Sequence, residues 1–199
     1  YFFSHNEADF SEAFLWRFQA DAATPEEQWV DLSANLPDGT IGGSVGDLNL
    51  QGGYNMVVKV HPTNSDLIFL GGTNLYRSTD GFTTPVGAEG WIGGYDTANN
   101  ITIYPNQHPD QHNLVFLPSD PNRAVSSHDG GLSLTDDITN SDRVEWTSLN
   151  NKYITTQPYA ISFDPEGNSD DLLAGFQDNS TWFTNSKSIN EPWVDQFSG

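Results

Sequence analysis

Three of the five histidines of the chain lie in one short stretch, together with several aspartates. His108, Asp110 and His112 occupy alternate positions, and His128 and Asp129 follow about one strand-length later. In an extended segment, alternate side chains point to the same side. Two or three imidazoles with a carboxylate suit zinc or a similar ion. The pattern therefore predicts either a divalent-cation site at His108, Asp110, His112 and His128 or a structural network in which these side chains bind the backbone of loops.

The charge of the chain disfavours several classes of partner. It has 27 acidic and 7 basic residues, for a net charge of -20. Nucleic acids and anionic lipid surfaces are bound mainly through lysine and arginine, so we predict neither as a partner. We also predict no membrane span, because no apolar run approaches the roughly 20 residues that a spanning helix needs. Cysteine is absent, so stability must come from the core or from bound ions.

The apolar segments are short, alternate with polar residues and end in Gly, Asn, Asp or Pro, which is typical of strands and turns. Three such segments align with one another, and they begin at Val57, Leu114 and Ala160. Each has the pattern of a strand that ends near a proline, a polar turn, a second strand, a Gly/Asp/Asn turn and a third strand. The prolines that share one place are Pro62, Pro118 and Pro165. The chain is therefore predicted to repeat one antiparallel unit.

Tryptophan marks a fourth strand of the repeat. Trp29, Trp146 and Trp193 begin closely similar segments, and Trp91 fills the same place more loosely. These markers lie 62, 55 and 47 residues apart. A period of roughly 50 residues with four strands per unit is typical of a β-propeller. We expect the four indoles to occupy equivalent buried places between neighbouring sheets, where a large aromatic ring fills the wedge.

The predicted fold is therefore an all-β β-propeller with about three and a half four-stranded blades of a larger ring. Residues 1–36 are predicted to be the second half of a blade, and 37–100 a blade with a long entry loop. Residues 101–151 and 152–199 are each predicted to form one further blade. On this interpretation the remaining blades come from a longer parent chain or from other chains.

The segment YRSTDGF, at 76–82, resembles the Asp-box S-x-D-x-G-x-T-W of sialidase-like and sortilin-like propellers. Ser78 and Asp80 match the box, whereas Phe82 stands where glycine is usual, and Thr135 and Asp137 hold the first two places in the next unit. GGTNLYRSTDGF, SHDGG and GFQDNSTWF together are similar to the large exported propellers of Bacteroidetes that carry a C-terminal sorting domain. This group includes xyloglucan-cleaving glycosidases and the sortilin ectodomain among its relatives. The resemblance implies a propeller that is secreted or on the cell surface, but no single activity.

The repeat assigns the polar motifs to two faces of the predicted ring. The Asp-box residues Ser78, Asp80, Thr135 and Asp137 lie between third and fourth strands, where their side chains are expected to bind the backbone of the hairpin. The resemblance implies that ligands bind at the opposite face, which also receives the long loops 35–55 and 93–112. The candidate residues at that ligand face are Asn74, His108, Asp110, Gln111, His112, His128, Asp129, Gln177, Asp178 and Asn179.

The predicted function is a binding or structural scaffold with a polysaccharide or protein as its partner. The alternative is a glycoside hydrolase of the xyloglucanase kind, which needs two carboxyl groups on either side of the sugar bond. Asp110, Asp129 and Asp178 are its weak catalytic candidates, and Asp47 and Asp96 share their face. Whether the chain is an enzyme stays open at this point. Exposed tyrosines, including Tyr54, could stack on sugar rings.

A sialidase is disfavoured, because it needs an arginine cluster to hold a carboxylate. The four arginines, Arg17, Arg77, Arg123 and Arg143, do not reach the ligand face in the predicted register.

The residues aligned with the histidine stretch in the other units do not share its residue types. Tyr54 and Gln157 align with Asp110 in the other units, so a metal site would belong to one unit only. The neighbouring apolar residues favour partly buried and hydrogen-bonded polar groups. The structural network is therefore the preferred interpretation, and a bound divalent cation is the alternative.

Overall fold

The computed structural model describes residues 1–6, 12–37, 48–95, 103–153, 156–177 and 179–197. The described chain is all-β, as predicted, and forms four antiparallel sheets in which each strand pairs with the next strand in sequence. It divides into two compact units, Tyr1–Asn151 with three sheets and Lys152–Gly199 with the fourth. Among the described residues, no helix has the length and apolar character to cross a membrane.

The first unit contains eleven strands in three sheets. The first sheet consists of β1 (Phe2–His5), β2 (Ala13–Phe18) and β3 (Trp29–Asp31). The second consists of β4 (Val57–His61), β5 (Asn64–Gly71), β6 (Leu75–Ser78) and β7 (Trp91–Gly93). The third consists of β8 (Gln111–Leu117), β9 (Asp120–His128), β10 (Gly131–Thr135) and β11 (Thr147–Ser148).

The second unit contains one sheet. Its strands are β12 (Pro158–Phe163), β13 (Leu172–Phe176), β14 (Thr181–Thr184) and β15 (Val194–Phe197). They pair in the order of the sequence. The last three sheets thus match the predicted strand segments. The first sheet differs, because residues 1–36 contribute three strands rather than the two expected. β1 is only four residues long, and its FFSH sequence carries little of the alternation that marks a strand.

Apolar clusters fill the spaces on both sides of the second sheet. One cluster joins it to the first sheet, through Leu15 on β2 and Leu70 and Tyr76 on the second sheet. The other joins it to the third sheet, through Phe69 and Leu75 on one side and Leu114 on the other. Alternation along β5 and β6 sends successive side chains into opposite clusters, which is why this sheet is apolar on both faces.

The four marker tryptophans have equivalent positions in their sheets, but their side chains are buried to different extents. Trp29 and Trp91 begin the last strand of their sheets, and Trp146 and Trp193 lie one residue before the last strand of theirs. Trp146 is 3% exposed and donates from Nε1 to the carbonyl of Ile92 at 2.8 Å, and Trp91 is half-buried. Trp29 and Trp193 are 49% and 38% exposed. The expectation of equivalent burial is therefore wrong, because the depth of each indole depends on which elements pack against its sheet.

The turns after β6 and β10 are held by the predicted Asp-box side chains. The hydroxyl of Ser78 donates to Asp80 Oδ1 at 2.8 Å and accepts the backbone N–H of Phe82 at 2.8 Å. Asp80 Oδ2 also accepts the backbone N–H of Thr84 at 3.1 Å. Phe82 adopts a φ of 59°, and its ring is fully buried in the first cluster. These contacts fix a tight turn and leave Asp80 engaged in structure rather than in chemistry.

The equivalent pair, Thr135 and Asp137, makes the corresponding contacts in the third sheet. The hydroxyl of Thr135 accepts the N–H of Asp137 at 3.2 Å, and Asp137 accepts the N–H of Thr139 at 2.9 Å. Arg77 reaches this turn from the second sheet and donates to the carbonyls of Ile138 and Asn140 at 2.7 and 2.8 Å. A buried arginine thereby joins the second sheet to the third.

Candidate functional site

The loops that precede β4 and β8 meet beside the β9–β10 turn, and Asp110 lies at their junction. Asp110 has a φ of 64°, and β8 begins only at the next residue. The prediction that His108, Asp110 and His112 alternate along an extended segment is therefore wrong. A residue in the left-handed region breaks the alternation of side chains, and Asp tolerates this conformation better than most residues.

The carboxylate of Asp110 joins the loops of two sheets. Its Oδ1 accepts Nε2 of Gln51 at 2.7 Å and Nδ2 of Asn55 at 2.8 Å. Its backbone N–H donates to the carbonyl of Thr73 at 2.9 Å, in the turn between β5 and β6. Asn55 is fully buried, so its amide depends on this carboxylate for hydrogen bonding. We call these four residues, Gln51, Asn55, Thr73 and Asp110, the Asp110 clamp.

An exposed cluster lies next to the Asp110 clamp. His112 Nε2 pairs with Asp129 Oδ1, and the hydroxyl of Tyr54 donates to the same oxygen at 3.3 Å. The rings of Tyr54 and His112 meet edge to face, with centroids 5.1 Å apart. Tyr54 is 59% exposed, and the side chains of His112 and Asp129 are 35% and 31% exposed. We call Tyr54, His112 and Asp129 the Tyr54 cluster.

The two groups form one connected surface. The backbone N–H of Asp129 donates to the carbonyl of Asp110 at 3.2 Å, so the β9–β10 turn is fixed against the start of β8. Tyr54 follows Gln51 in the loop before β4, and His112 lies on β8. A ligand at this surface would therefore touch the second and third sheets at the same time.

His128 is separated from His112 and lies in the interior. It is 7% exposed, and its Nε2 lies 2.9 Å from the hydroxyl of Ser133. That hydroxyl donates to the carbonyl of Asn106 at 2.6 Å, so it must accept from a protonated Nε2 of His128. Nδ1 of His128 is buried and has no hydrogen-bond partner among the described residues. His108 stacks on the His128 ring, with centroids 5.9 Å apart.

The metal interpretation of the histidine stretch finds no geometric support. His108 and His128 stack with each other, whereas His112 turns toward Asp129 and Asp110 toward two amides. Within the described ranges, no group of three or more His, Cys, Asp or Glu side chains is arranged to hold a metal ion. The stretch instead combines a buried histidine pair with hydrogen-bonded loop contacts.

Burial makes the stability of the protein sensitive to acid through His128. Burial, reinforced by the charge of nearby His108, lowers the pKa of His128 from 6.5 to about 4. Between these two pH values the unfolded chain takes up a proton at this site and the folded chain does not, so stability falls as the pH falls. We expect the free energy of unfolding to decrease by about 3 kcal/mol between pH 6.5 and pH 4 through this residue.

The measurement is chemical denaturation at a series of pH values, with His128→Gln beside the unsubstituted protein. Glutamine can still donate to Ser133 but has no titrating group, so its curve is expected to be flatter in this interval. Parallel curves for the two proteins would show that His128 does not carry the effect.

The other ligand-face candidates have structural contacts. Asn74 is buried and its Oδ1 accepts the N–H of Tyr95 at 2.7 Å. Gln111 is buried and its Oε1 accepts the hydroxyl of Ser126 at 3.0 Å. In the second unit, Asn179 Nδ2 donates to the carbonyl of Gln177 at 3.0 Å. Asp47, Asp96 and Asp178 lie outside the described residues.

Neither protein-family models nor curated proteins supply a relative from which an activity could be transferred. No protein-family model matches the chain, and no curated protein matches it significantly. The geometry of the Tyr54 cluster and the Asp110 clamp is therefore the basis for a function.

Sequence reasoning did not identify Gln51, Asn55 and Thr73 as partners of Asp110. Their common signal is weak, since each is a single polar residue in or beside a glycine-containing loop. Gln51, Gly52 and Gly53 have φ values of 48°, 66° and 90°, so this loop coils tightly and presents the Gln51 side chain to Asp110. Such a coil depends on tertiary hydrogen bonds and leaves no periodic pattern in the sequence.

Proposed function

We propose that the chain is a segment of an exported β-propeller that acts as a binding scaffold for a polysaccharide. The meander order of strands in each sheet and the apolar clusters on both sides of the second sheet support the propeller. In such a ring, sheets pack face to face in succession, and each needs an apolar surface on both sides. The exported location follows from the resemblance alone.

The partners of this segment include further sheets of the same repeat, from a longer parent chain or from other chains. The surface of the first sheet that faces away from the first cluster carries aromatic side chains. Among them, Phe2, Phe18 and Trp29 are 56%, 47% and 49% exposed. In the second sheet, the equivalent face carries Tyr76, and this face packs against the first sheet. Exposed aromatic patches of this kind mark interaction sites. Because the equivalent face of the second sheet is covered by a sheet, we expect another sheet to cover this face of the first sheet.

Sedimentation tests this part of the proposal. The 199-residue chain is expected to self-associate or aggregate unless Phe18 and Trp29 are replaced by polar residues. A stable monomer at high concentration, with no change on substitution, would contradict it.

The ligand site is proposed at the Tyr54 cluster, and the exposure of Tyr54 beside a paired His112 and Asp129 carries this proposal. Sugar rings present an apolar C–H face and a rim of hydroxyl groups. The Tyr54 ring can stack on the C–H face, and the Asp129 carboxylate and His112 imidazole can bind the hydroxyl groups. The Asp110 clamp holds these groups in place before a ligand arrives, which limits the entropy lost on binding.

Replacing Tyr54 by alanine is expected to reduce polysaccharide affinity by about tenfold or more, because the stacking surface is lost. Affinity electrophoresis in gels containing xyloglucan or another neutral β-glucan measures this directly. Tyr153→Ala is a matched control, because this exposed tyrosine lies outside the cluster. Equal retardation of the Tyr54→Ala variant and the unsubstituted chain would contradict a ligand site at the Tyr54 cluster. If neither protein is retarded, the proposal that the ligand is a polysaccharide is contradicted.

The alternative function is a glycoside hydrolase, and one observation favours it: Asp110 and Asp129 are joined through their backbones at the same surface. Against it, the Asp110 oxygen that is bonded to Gln51 and Asn55 is already occupied by amide donors. Such donors stabilise an ionised carboxylate, whereas a general acid must hold a proton. Release of reducing sugar from β-glucans that is abolished by Asp129→Asn would establish hydrolysis and displace the scaffold.

A further inference from the structure

A cleft in the first unit shares no residue with the Tyr54 cluster. Its volume is about 540 Å³. The segment before β7, residues 103–105 and the β10–β11 connection form its walls. The residues that matter for its chemistry are Glu89, Trp91, Ile103, Pro105, Asp142 and Arg143. The volume is in the range of sites that enclose small ligands.

Aromatic and aliphatic groups form one wall of the cleft. Trp91 and Tyr104 meet edge to face, with ring centroids 4.9 Å apart. The hydroxyl of Tyr104 donates to the carbonyl of Val144 at 2.8 Å, which fixes the ring between the two sheets. Ile103 is 45% exposed and Pro105 is exposed beside it. The wall is thus apolar, open to solvent and anchored by a buried hydrogen bond.

Arg143 places a positive charge at this wall. Its guanidinium carbon lies 4.8 Å from the centre of the Tyr104 ring. Two other cations are paired with carboxylates, Arg123 with Asp136 and Lys187 with Asp170, but Arg143 has no ion pair within the part of the chain that the structure describes. Other basic side chains of the described residues, Arg77 among them, also have no ion pair, so Arg143 is distinguished by its exposure at the edge of the cleft. Its planar group is well suited to hold a carboxylate through two parallel hydrogen bonds.

We propose that this cleft binds a hexuronate unit of an acidic polysaccharide. The carboxylate of the sugar pairs with Arg143, and its apolar ring face packs on Ile103 and Pro105. The hydroxyl groups donate to the carboxylates of Glu89 and Asp142, which line the same cleft. These two carboxylates repel a phosphate dianion more strongly than the single charge of a uronate, and a phosphate brings no hydroxyl groups to donate to them. A neutral sugar would bring no negative charge to pair with the guanidinium of Arg143.

Binding of a galacturonate trimer, followed by calorimetry or by NMR shifts, tests the proposal against a neutral galactose trimer. The uronate is expected to bind, and more weakly as ionic strength rises, because an exposed ion pair is screened by salt. Arg143→Gln is expected to weaken uronate binding by about 10- to 100-fold, the usual effect of losing hydrogen bonds to a charged group. Arg123→Gln is the matched control, since it removes an arginine that is paired outside the cleft.

A second variant keeps the test independent of any effect of Arg143 on folding. Ile103→Glu leaves Arg143 in place and adds a negative charge at an exposed position, so it is expected to weaken uronate binding by repulsion. Equal affinity for the neutral trimer, or uronate binding unchanged by both cleft variants, would overturn the proposal. Tyr54→Ala is expected to leave uronate binding unchanged, so failure of this site and failure of the Tyr54 cluster are distinguishable.

Discussion

Replacing Trp146 by alanine is expected to destabilise the first unit by about 3–5 kcal/mol, the usual cost of removing a large buried aromatic side chain. Trp146 is 3% exposed and belongs to the cluster between the second and third sheets. Its indole N–H also satisfies the carbonyl of Ile92 at 2.8 Å, and the truncation would leave that acceptor unpaired. The measurement is urea denaturation followed by far-UV circular dichroism.

Trp29→Ala is the matched control, because Trp29 has the same place in its sheet but is 49% exposed. It contacts Phe18, with ring centroids 5.0 Å apart, and we expect a loss of about 1–2 kcal/mol. Similar losses for the two variants would mean that the third and first sheets bury their tryptophans alike, contrary to the structure. The comparison therefore tests the packing, not only the presence of an aromatic residue.

Asp110→Ala is expected to cost about 2–4 kcal/mol, because it removes the acceptor of two amides and places alanine at a φ of 64°. The fully buried Asn55 amide would then lack this partner. The loop before β4 would separate from the start of β8, so polysaccharide binding at the Tyr54 cluster is expected to weaken as well. Thermal unfolding and affinity electrophoresis on the same samples measure both effects.

Asp110→Asn separates geometry from charge. Gln51 and Asn55 both donate to Oδ1, and an asparagine oxygen has two lone pairs and tolerates the same backbone conformation. We therefore expect Asp110→Asn to lose less than about 1 kcal/mol. A loss as large as that of alanine, together with a stoichiometric metal that elemental analysis finds only in the unsubstituted protein, would restore the divalent-cation interpretation.

Local sequence patterns were sufficient to predict the strands of the last three sheets and the turns that close them. Strand alternation, the prolines after β4, β8 and β12, and the Ser/Thr–Asp turns act over a few residues, so they are visible in the sequence. The first strand of the first sheet, β1, was not predicted, because its four residues give almost no periodicity.

The tertiary structure decided the environment of each functional side chain. Four tryptophans with one place in the repeat differ from 3% to 49% in exposure, since burial depends on the neighbouring sheet. The left-handed backbone at Asp110 breaks the alternation that the sequence suggested, because hydrogen bonds from Gln51 and Asn55, more than fifty residues away, hold it there. His128 is buried and His112 exposed for the same kind of reason. Contacts between distant segments determine these outcomes, and a single sequence carries no local pattern for them.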